Sequence, residues 1–155
     1  MKRLFLLRHG EASFSNSSDF QRQLTKKGRE NLIRMGGRLN SSLQTVDLMY
    51  CSAATRTMET AEIIEKYISI KESVFTKDIY TGDMRNIIEM LEKTSIAVNT
   101  CLVVGHNPTI SLLLSHISGD NYLGLQPGMM AIIDLEISDW KMIGYGTGTL
   151  NEVIQ

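Results

Sequence analysis

Two arginines and two histidines follow directly on short apolar runs, and their types suit one kind of chemistry. LFLL (residues 4–7) runs into Arg8-His9-Gly10, VDLMYC (46–51) into Ser52 through Arg56, and CLVVG (101–105) into His106-Asn107-Pro108. Arginine's planar fork makes paired hydrogen bonds to phosphate-like oxygens. Guanidinium and imidazole groups gathered around one cleft therefore suit a tetrahedral dianion. Gly10 would let the backbone turn sharply and approach a ligand closely. Asn107 reads as a helix N-cap and Pro108 as a first-turn residue, which would aim the positive end of a helix into the same cleft. Binding alone does not need two histidines. A neutral imidazole nitrogen can attack phosphorus and form a phosphohistidine, splitting hydrolysis into two easier steps. Neighbouring cations would lower the pKa of His9 and keep it neutral near pH 7, and would steady charge on the transferring phosphoryl oxygens.

Such convergence requires a particular scaffold. The three apolar runs are short and uninterrupted, as in strands buried on both faces of a parallel sheet. Helical periodicity fills the intervals. One helix is predicted from a Thr25 cap to about Leu43, with Leu32, Met35 and Leu39 on its buried side, although Gly36-Gly37 sits awkwardly within it. Others are predicted over about Thr55 to Tyr67, Asp83 to Leu91, and Pro108 to Ile117. MMAIIDLEI and WKMIGYG read as two further strands joined by a turn near Ser138-Asp139. Alternating strands and helices predict an α/β fold, a three-layer α/β/α sandwich with a central, mostly parallel sheet. Ligands bind beyond the carboxyl ends of such strands, which brings Arg8, His9, Ser52, Arg56 and His106 to one edge.

Four stretches also resemble a known family. LLRHGEA, CSAATRTMETA, VVGHNP and DFQRQLTKKG are similar, in order, to the RHG motif, the S-x₃-R-T-x₂-T-A motif, the strand ending in Gly-His and the D-x-x-R-x-L-T-x-x-G stretch of the histidine phosphatase superfamily, the phosphoglycerate-mutase-like group. RHG alone is weak; four motifs together, spanning most of the chain, are specific. The resemblance implies that His9 is the phosphorylated nucleophile and that Arg8, Arg56 and His106 form the phosphate pocket. Arg22 lies where small members place another anion-binding arginine, and Asn107, beside the second histidine, is a further candidate for binding the phosphate. About fifty residues separate Arg56 from His106, an interval where larger members carry a helical insert. The short interval resembles the compact phosphohistidine phosphatases of the SixA type, and implies a phosphorylated protein, bearing phosphohistidine, as substrate. A small phosphorylated metabolite, or a non-catalytic phosphate-binding role, is the alternative. Larger members have a glutamate general acid in the interval. Here Asp83 stands at the nearest matching place and Asp19 is a second candidate. A leaving imidazole is easier to expel than an alkoxide and would tolerate a weaker acid.

Blander readings compete at several positions. Arg56 could pair with Glu59 or Glu62 on its own helix, Asp19 and Arg22 could be a loop ion pair, and Asp83 could be a helix N-cap. His116 reads as a structural helix residue and Glu11 as an orienting or solvated one. GYGTGT lacks the strand–turn–helix context of a dinucleotide site. Neither a cofactor nor a metal is expected: no histidine pair has helical ligand spacing, and adjacent arginines would repel a divalent cation.

The bulk properties set outer limits. The chain has 155 residues, 43% hydrophobic and 21% charged, which suits one globular catalytic domain over residues 1–155. Formal net charge is −1, so no global field favours nucleic acid or an anionic membrane as partner. No run approaches the ~20 apolar residues of a membrane span, and the N-terminal apolar run is too short for a signal peptide. Cys51 and Cys101 read as small buried hydrophobes in a reducing compartment, and the cytoplasm is the expected location.

Overall fold

A computed structural model describes residues 1–14, 18–39 and 45–155. The chain runs β1 (Lys2–Arg8), α1 (Lys26–Leu39), β2 (Thr45–Val46), β3 (Leu48–Ser52), α2 (Thr55–Ile64), β4 (Ser69–Ile70), β5 (Ser73–Thr76), α3 (Asp78–Thr81), α4 (Met84–Glu92), β6 (Thr100–Gly105), α5 (Thr109–Ser118), β7 (Met130–Leu135) and β8 (Gly148–Ile154). Short 3₁₀ turns occupy Asp19–Gln21 and Trp140–Met142.

Six strands form one sheet in the order β5-β3-β6-β1-β7-β8. The β5-β3-β6-β1 half is parallel, whereas β7 and β8 add on antiparallel, so the sheet is mixed. β1 is central, and its alternating side chains feed two cores. Leu4 and Leu6 join Val103, Ile87, Leu91, Leu113 and Trp140 on the α4/α5 face. Phe5 and Leu7 join Leu32, Met35, Ile64 and Val104 on the α1/α2 face. This double burial explains why the sequence runs are continuously apolar rather than alternating. Cys51 and Cys101 are free and buried in these strands.

The predicted helices appear with shifted ends. Thr25 caps α1 by accepting from the Gly28 N–H at 2.9 Å; the expected end near Leu43 lies outside the described residues. The expected strand over WKMIGYG is a correction. Trp140 sits in a 3₁₀ turn capped by Asp139, fully buried, with its indole N–H donating to the Val98 carbonyl at 2.7 Å. The strand begins only at Gly148, as a half-exposed edge whose apolar pattern is too sparse to read. Among the described residues no helix is long and apolar enough to cross a membrane.

Candidate active site

The carboxyl ends of β1, β3 and β6 meet at one edge, since parallel pairing sets Arg8 against Gly105 and Cys51 against Val104. The chain turns there are pinned by the motif residues themselves. Thr57 Oγ1 donates to the carbonyls of Ser52 and Ala54, both at 2.8 Å, fixing the turn that launches α2. Thr60 Oγ1 accepts from the Gly10 N–H at 3.1 Å and so ties α2 to the loop after β1. Gly28 lets α1 lie against that loop: a Cβ there would stand 2.3 Å from the Glu11 carbonyl oxygen. At Gly10 a Cβ would stand 2.7 Å from Leu32, so packing under the loop also requires that glycine.

His9 is buried at the floor, 8% exposed. Its Nδ1 lies 2.7 Å from the Gly10 carbonyl. A carbonyl only accepts, so Nδ1 carries the proton and Nε2 presents a lone pair. Arg56 Nε approaches that Nε2 at 3.4 Å, and the His106 ring centroid lies 5.2 Å from that of His9. Burial first, then the charges of Arg56, Arg8 and Arg22, bring the His9 pKa down to about 4, against the contrary pull of the Gly10 carbonyl. Burial, then His9 and Arg56, bring His106 down to about 3. Both rings are neutral at pH 7.

Arg8 Nη1 donates to the Leu125 carbonyl at 3.0 Å, and His106 Nε2 pairs with Ser52 Oγ at 2.7 Å. Among the described residues, two buried side-chain polar atoms have no hydrogen-bond partner: Arg8 Nε and His106 Nδ1. Both belong to this cluster. Buried polar groups are almost always satisfied, so two orphans in one cluster of arginines and histidines fit an oxyanion received there.

Asp19 faces the cluster from the loop before α1. Arg56 Nη1 donates to its carbonyl at 2.7 Å and Nη2 to its Oδ2 at 3.2 Å. Arg22 Nη1 donates to Oδ1 at 3.0 Å, and the Tyr80 hydroxyl to Oδ2 at 2.7 Å. Tyr80 also packs edge-on against His106, centroids 5.5 Å apart. The Tyr80 hydroxyl first, then Arg22 and Arg56, hold the Asp19 carboxyl far below the usual carboxylate range. It is an anion at neutral pH and has no proton to give. Arg22 is close, two of its guanidinium nitrogens also donating to the Ser13 and Ala12 carbonyls.

The structure thus brings Arg8, His9, Arg56, His106 and Arg22 together, and separates two other candidates from them. Asp83 is exposed and caps α4: its carboxylate accepts from the Asn86 N–H while the Asn86 side chain accepts from the Asp83 N–H. None of its hydrogen bonds reaches the cluster, because a carboxylate in a reciprocal cap is held against its own helix. Asn107 is not the N-cap of α5; Pro108 takes that position. Asn107 Nδ2 donates to the Leu125 carbonyl and Oδ1 accepts from Ser111, so the amide ties two loops together rather than facing an anion. Arg56 turns to Asp19 and His9, and Glu59 instead takes Arg29 and the Leu24 N–H. His116 packs against Tyr145, with no bond to the cluster. Tyr80 was invisible in the sequence, since α3 is one short turn with no periodicity to read; Ser52 stood in a motif with no role attached.

Comparison with known proteins agrees with this geometry. Residues 4–95 match the model of the histidine phosphatase superfamily (branch 1). The chain belongs to that superfamily. A relative is the uncharacterised protein Rv1276c of Mycobacterium tuberculosis, 31% identical over 118 residues, covering 73% of this chain and 72% of that one. In three dimensions the histidine phosphatase fold is shared with the protein histidine phosphatase SixA complexed with tungstate, at TM-score 0.85 and 22% identity over 99% of this chain and 96% of that one. It is also shared with mycobacterial glucosyl-3-phosphoglycerate phosphatase, at TM-score 0.69 and 14% identity over 97% of each chain. Membership of this superfamily supports phosphatase activity.

Proposed function

We propose that this histidine phosphatase superfamily member hydrolyses phosphorylated substrates through a covalent phosphohistidine on His9, without a metal ion, and that its substrate is a protein bearing phosphohistidine. The observation that carries the reading is a buried, neutral His9 in the same cluster as two buried nitrogens left without partners among the described residues, Arg8 Nε and His106 Nδ1. In the first step the Nε2 lone pair forms a bond to phosphorus while the bond to the leaving group breaks, its electron pair departing with that group. In the second, water attacks the phosphohistidine and returns the pair to Nε2. Arg8, Arg56 and His106 meet the charge on the equatorial oxygens, with Arg22 further out. Ser52 Oγ already accepts from the Ala54 N–H, which leaves its hydroxyl proton for His106 Nε2; in that tautomer the ring proton sits on Nδ1 and suits a phosphoryl oxygen. The tungstate of the SixA neighbour, a tetrahedral oxyanion, is consistent with this.

The acid–base inventory supports a phosphohistidine substrate. Asp19 is held ionised and Asp83 is committed to its helix, so neither serves as a proton donor to an alkoxide. A phosphorylated imidazole needs no such donor. We assign the whole chain to one catalytic domain, working in a reducing compartment such as the cytoplasm.

The deciding assay incubates the protein with p-nitrophenyl phosphate and with a phosphohistidine-bearing domain, in EDTA, beside His9→Ala. Phosphate release that survives EDTA and vanishes in the variant is expected. Release from neither substrate would leave only a phosphate-binding role. Turnover of a phosphosugar as fast as of the phosphohistidine domain would replace the protein substrate with a small metabolite.

A further inference from the structure

The Arg56 guanidinium lies between His9 and Asp19. Its Nε end faces His9 Nε2 and its terminal nitrogens hold the Asp19 carbonyl and Oδ2. Exposure follows the same axis: the side chain of Arg56 is 7% exposed and that of Asp19 54%. Phosphoryl transfer proceeds with nucleophile and leaving group roughly in line. A phosphoryl group attacked from the floor by His9 therefore sends its leaving group toward the mouth, where Asp19 stands. The charged or titratable groups facing Asp19 are Arg22 on its own loop, Arg56 on α2, Tyr80 on α3 and His106 after β6; Lys77 lies over the adjacent Phe20 ring. Together they hold a carboxylate, with Tyr80 and Arg56 on Oδ2 and, among the described residues, Arg22 on Oδ1. A carboxylate oxygen can accept about two hydrogen bonds, so among the described residues Oδ1 of this half-exposed side chain keeps acceptor capacity.

We propose that Asp19 accepts the ring N–H of an N-phosphorylated imidazole substrate at the nitrogen not bonded to phosphorus, and so selects P–N over P–O substrates. The proposal rests on His9 as the nucleophile. When the P–N bond breaks, its electron pair returns to the ring nitrogen that held phosphorus. A ring whose other nitrogen is protonated then departs as neutral imidazole, whereas an unprotonated ring would have to leave as an imidazolide anion. A fixed carboxylate bonded to that N–H raises the ring's pKa against the contrary pull of the neighbouring arginines, as Asp19 already does for His106, and favours the form that leaves easily. The same arrangement, a carboxylate holding an imidazole N–H, orients and charges the histidine of hydrolytic triads. Asp19 gives no proton away; it keeps one on the substrate. An ester oxygen gains nothing from this group, while repulsion of the phosphoryl dianion falls on both kinds of substrate alike.

The test compares kcat/KM from pH 5.5 to 8.5 for the wild type, Asp19→Asn and Asp19→Glu. The substrates are a phosphohistidine-bearing peptide and p-nitrophenyl phosphate, whose leaving group needs no proton. If the carboxylate raises the ring's pKa by about one unit, Asp19→Asn loses about tenfold more on the peptide than on the ester at pH 8. That gap closes toward pH 5.5, where the ring is protonated unaided, and Asp19→Glu restores the wild-type profile. Equal losses on both substrates at every pH, or no loss, overturn the proposal; Asp19 would then only hold Arg56. Wild-type protein inert toward both substrates would instead remove the parent reading of His9, and this one with it.

Discussion

Two neutral, buried imidazoles make the stability of this protein depend on pH in a window that other groups leave clear. His9 falls from 6.5 to about 4 and His106 to about 3, burial being the first cause of each. Their native pKa values are depressed, so between those values and 6.5 the unfolded chain binds more protons than the native one. Stability is then complete above 6.5 and is lost as pH falls. At pH 5 an unfolded histidine is almost fully protonated and native His9 about one-tenth so. Relative to pH 7 that difference amounts to about 2 kcal/mol for His9 and a similar amount for His106. A total near 4 kcal/mol is a large part of the ~5–15 kcal/mol that holds a domain folded. The carboxyls of Asp19, Asp47 and Asp134 are also depressed, but their contribution is lost only as pH drops below about 4. Urea unfolding at pH 5, 6 and 7 reads the effect directly. The wild type should lose about 4 kcal/mol from pH 7 to pH 5, His9→Asn about half that, and His9→Asn/His106→Asn little. A wild type equally stable at both pH values would show that His9 and His106 keep ordinary imidazole pKa values, closer to neutrality than burial and the neighbouring cations allow. The burial account of their neutrality would then fail with the linkage.

Two substitutions outside the pocket separate fold from chemistry. Asp83→Ala removes the α4 capping box and should cost about 1 kcal/mol in thermal or urea melts with turnover of a phosphohistidine-bearing peptide retained; unchanged stability with lost peptide turnover would restore Asp83 as an acid. Gly28→Ala drives a methyl group against the Glu11 carbonyl, and should cost about 1–3 kcal/mol while slowing turnover, because the displaced backbone adjoins His9; wild-type melting would refute this packing account.

The sheet edge was legible because burial on both faces writes itself as uninterrupted apolar runs, and the residue after each such run is where the parallel strands deliver function. Arg8, His9, Arg56 and His106 could be placed together on that rule before any geometry was known. The same rule was silent about side chains arriving from elsewhere. Tyr80 comes from a single helical turn, too short to show a period, and Asp19 from a 3₁₀ turn whose partners besides Arg22, namely Arg56 and Tyr80, lie distant in sequence. Asp83 misled because an N-cap and a general acid are both aspartates at a helix start, and only the Asn86 bonds tell them apart. Trp140 misled in the same way: strand-forming residues around it suggested a ladder, whereas burial of one large ring and its bond to Val98 decided for a turn.

Asp19 is also what makes a buried Arg56 tolerable. A guanidinium removed from water needs a counter-charge or a full set of acceptors, and His9 cannot be that counter-charge, since as a neutral ring it offers one lone pair. The Asp19 carbonyl and carboxylate supply what is missing. The same residues that satisfy Arg56 then fix the protonation of Asp19, for an aspartate held by two arginines and a tyrosine hydroxyl cannot be a proton donor at neutral pH. On the proposed reading, a site built this way gives up Asp19 as a general acid as a consequence of how it folds. The substrates that suit it are then those whose leaving group departs without receiving a proton, and a phosphorylated imidazole that already carries one on its far nitrogen meets that condition.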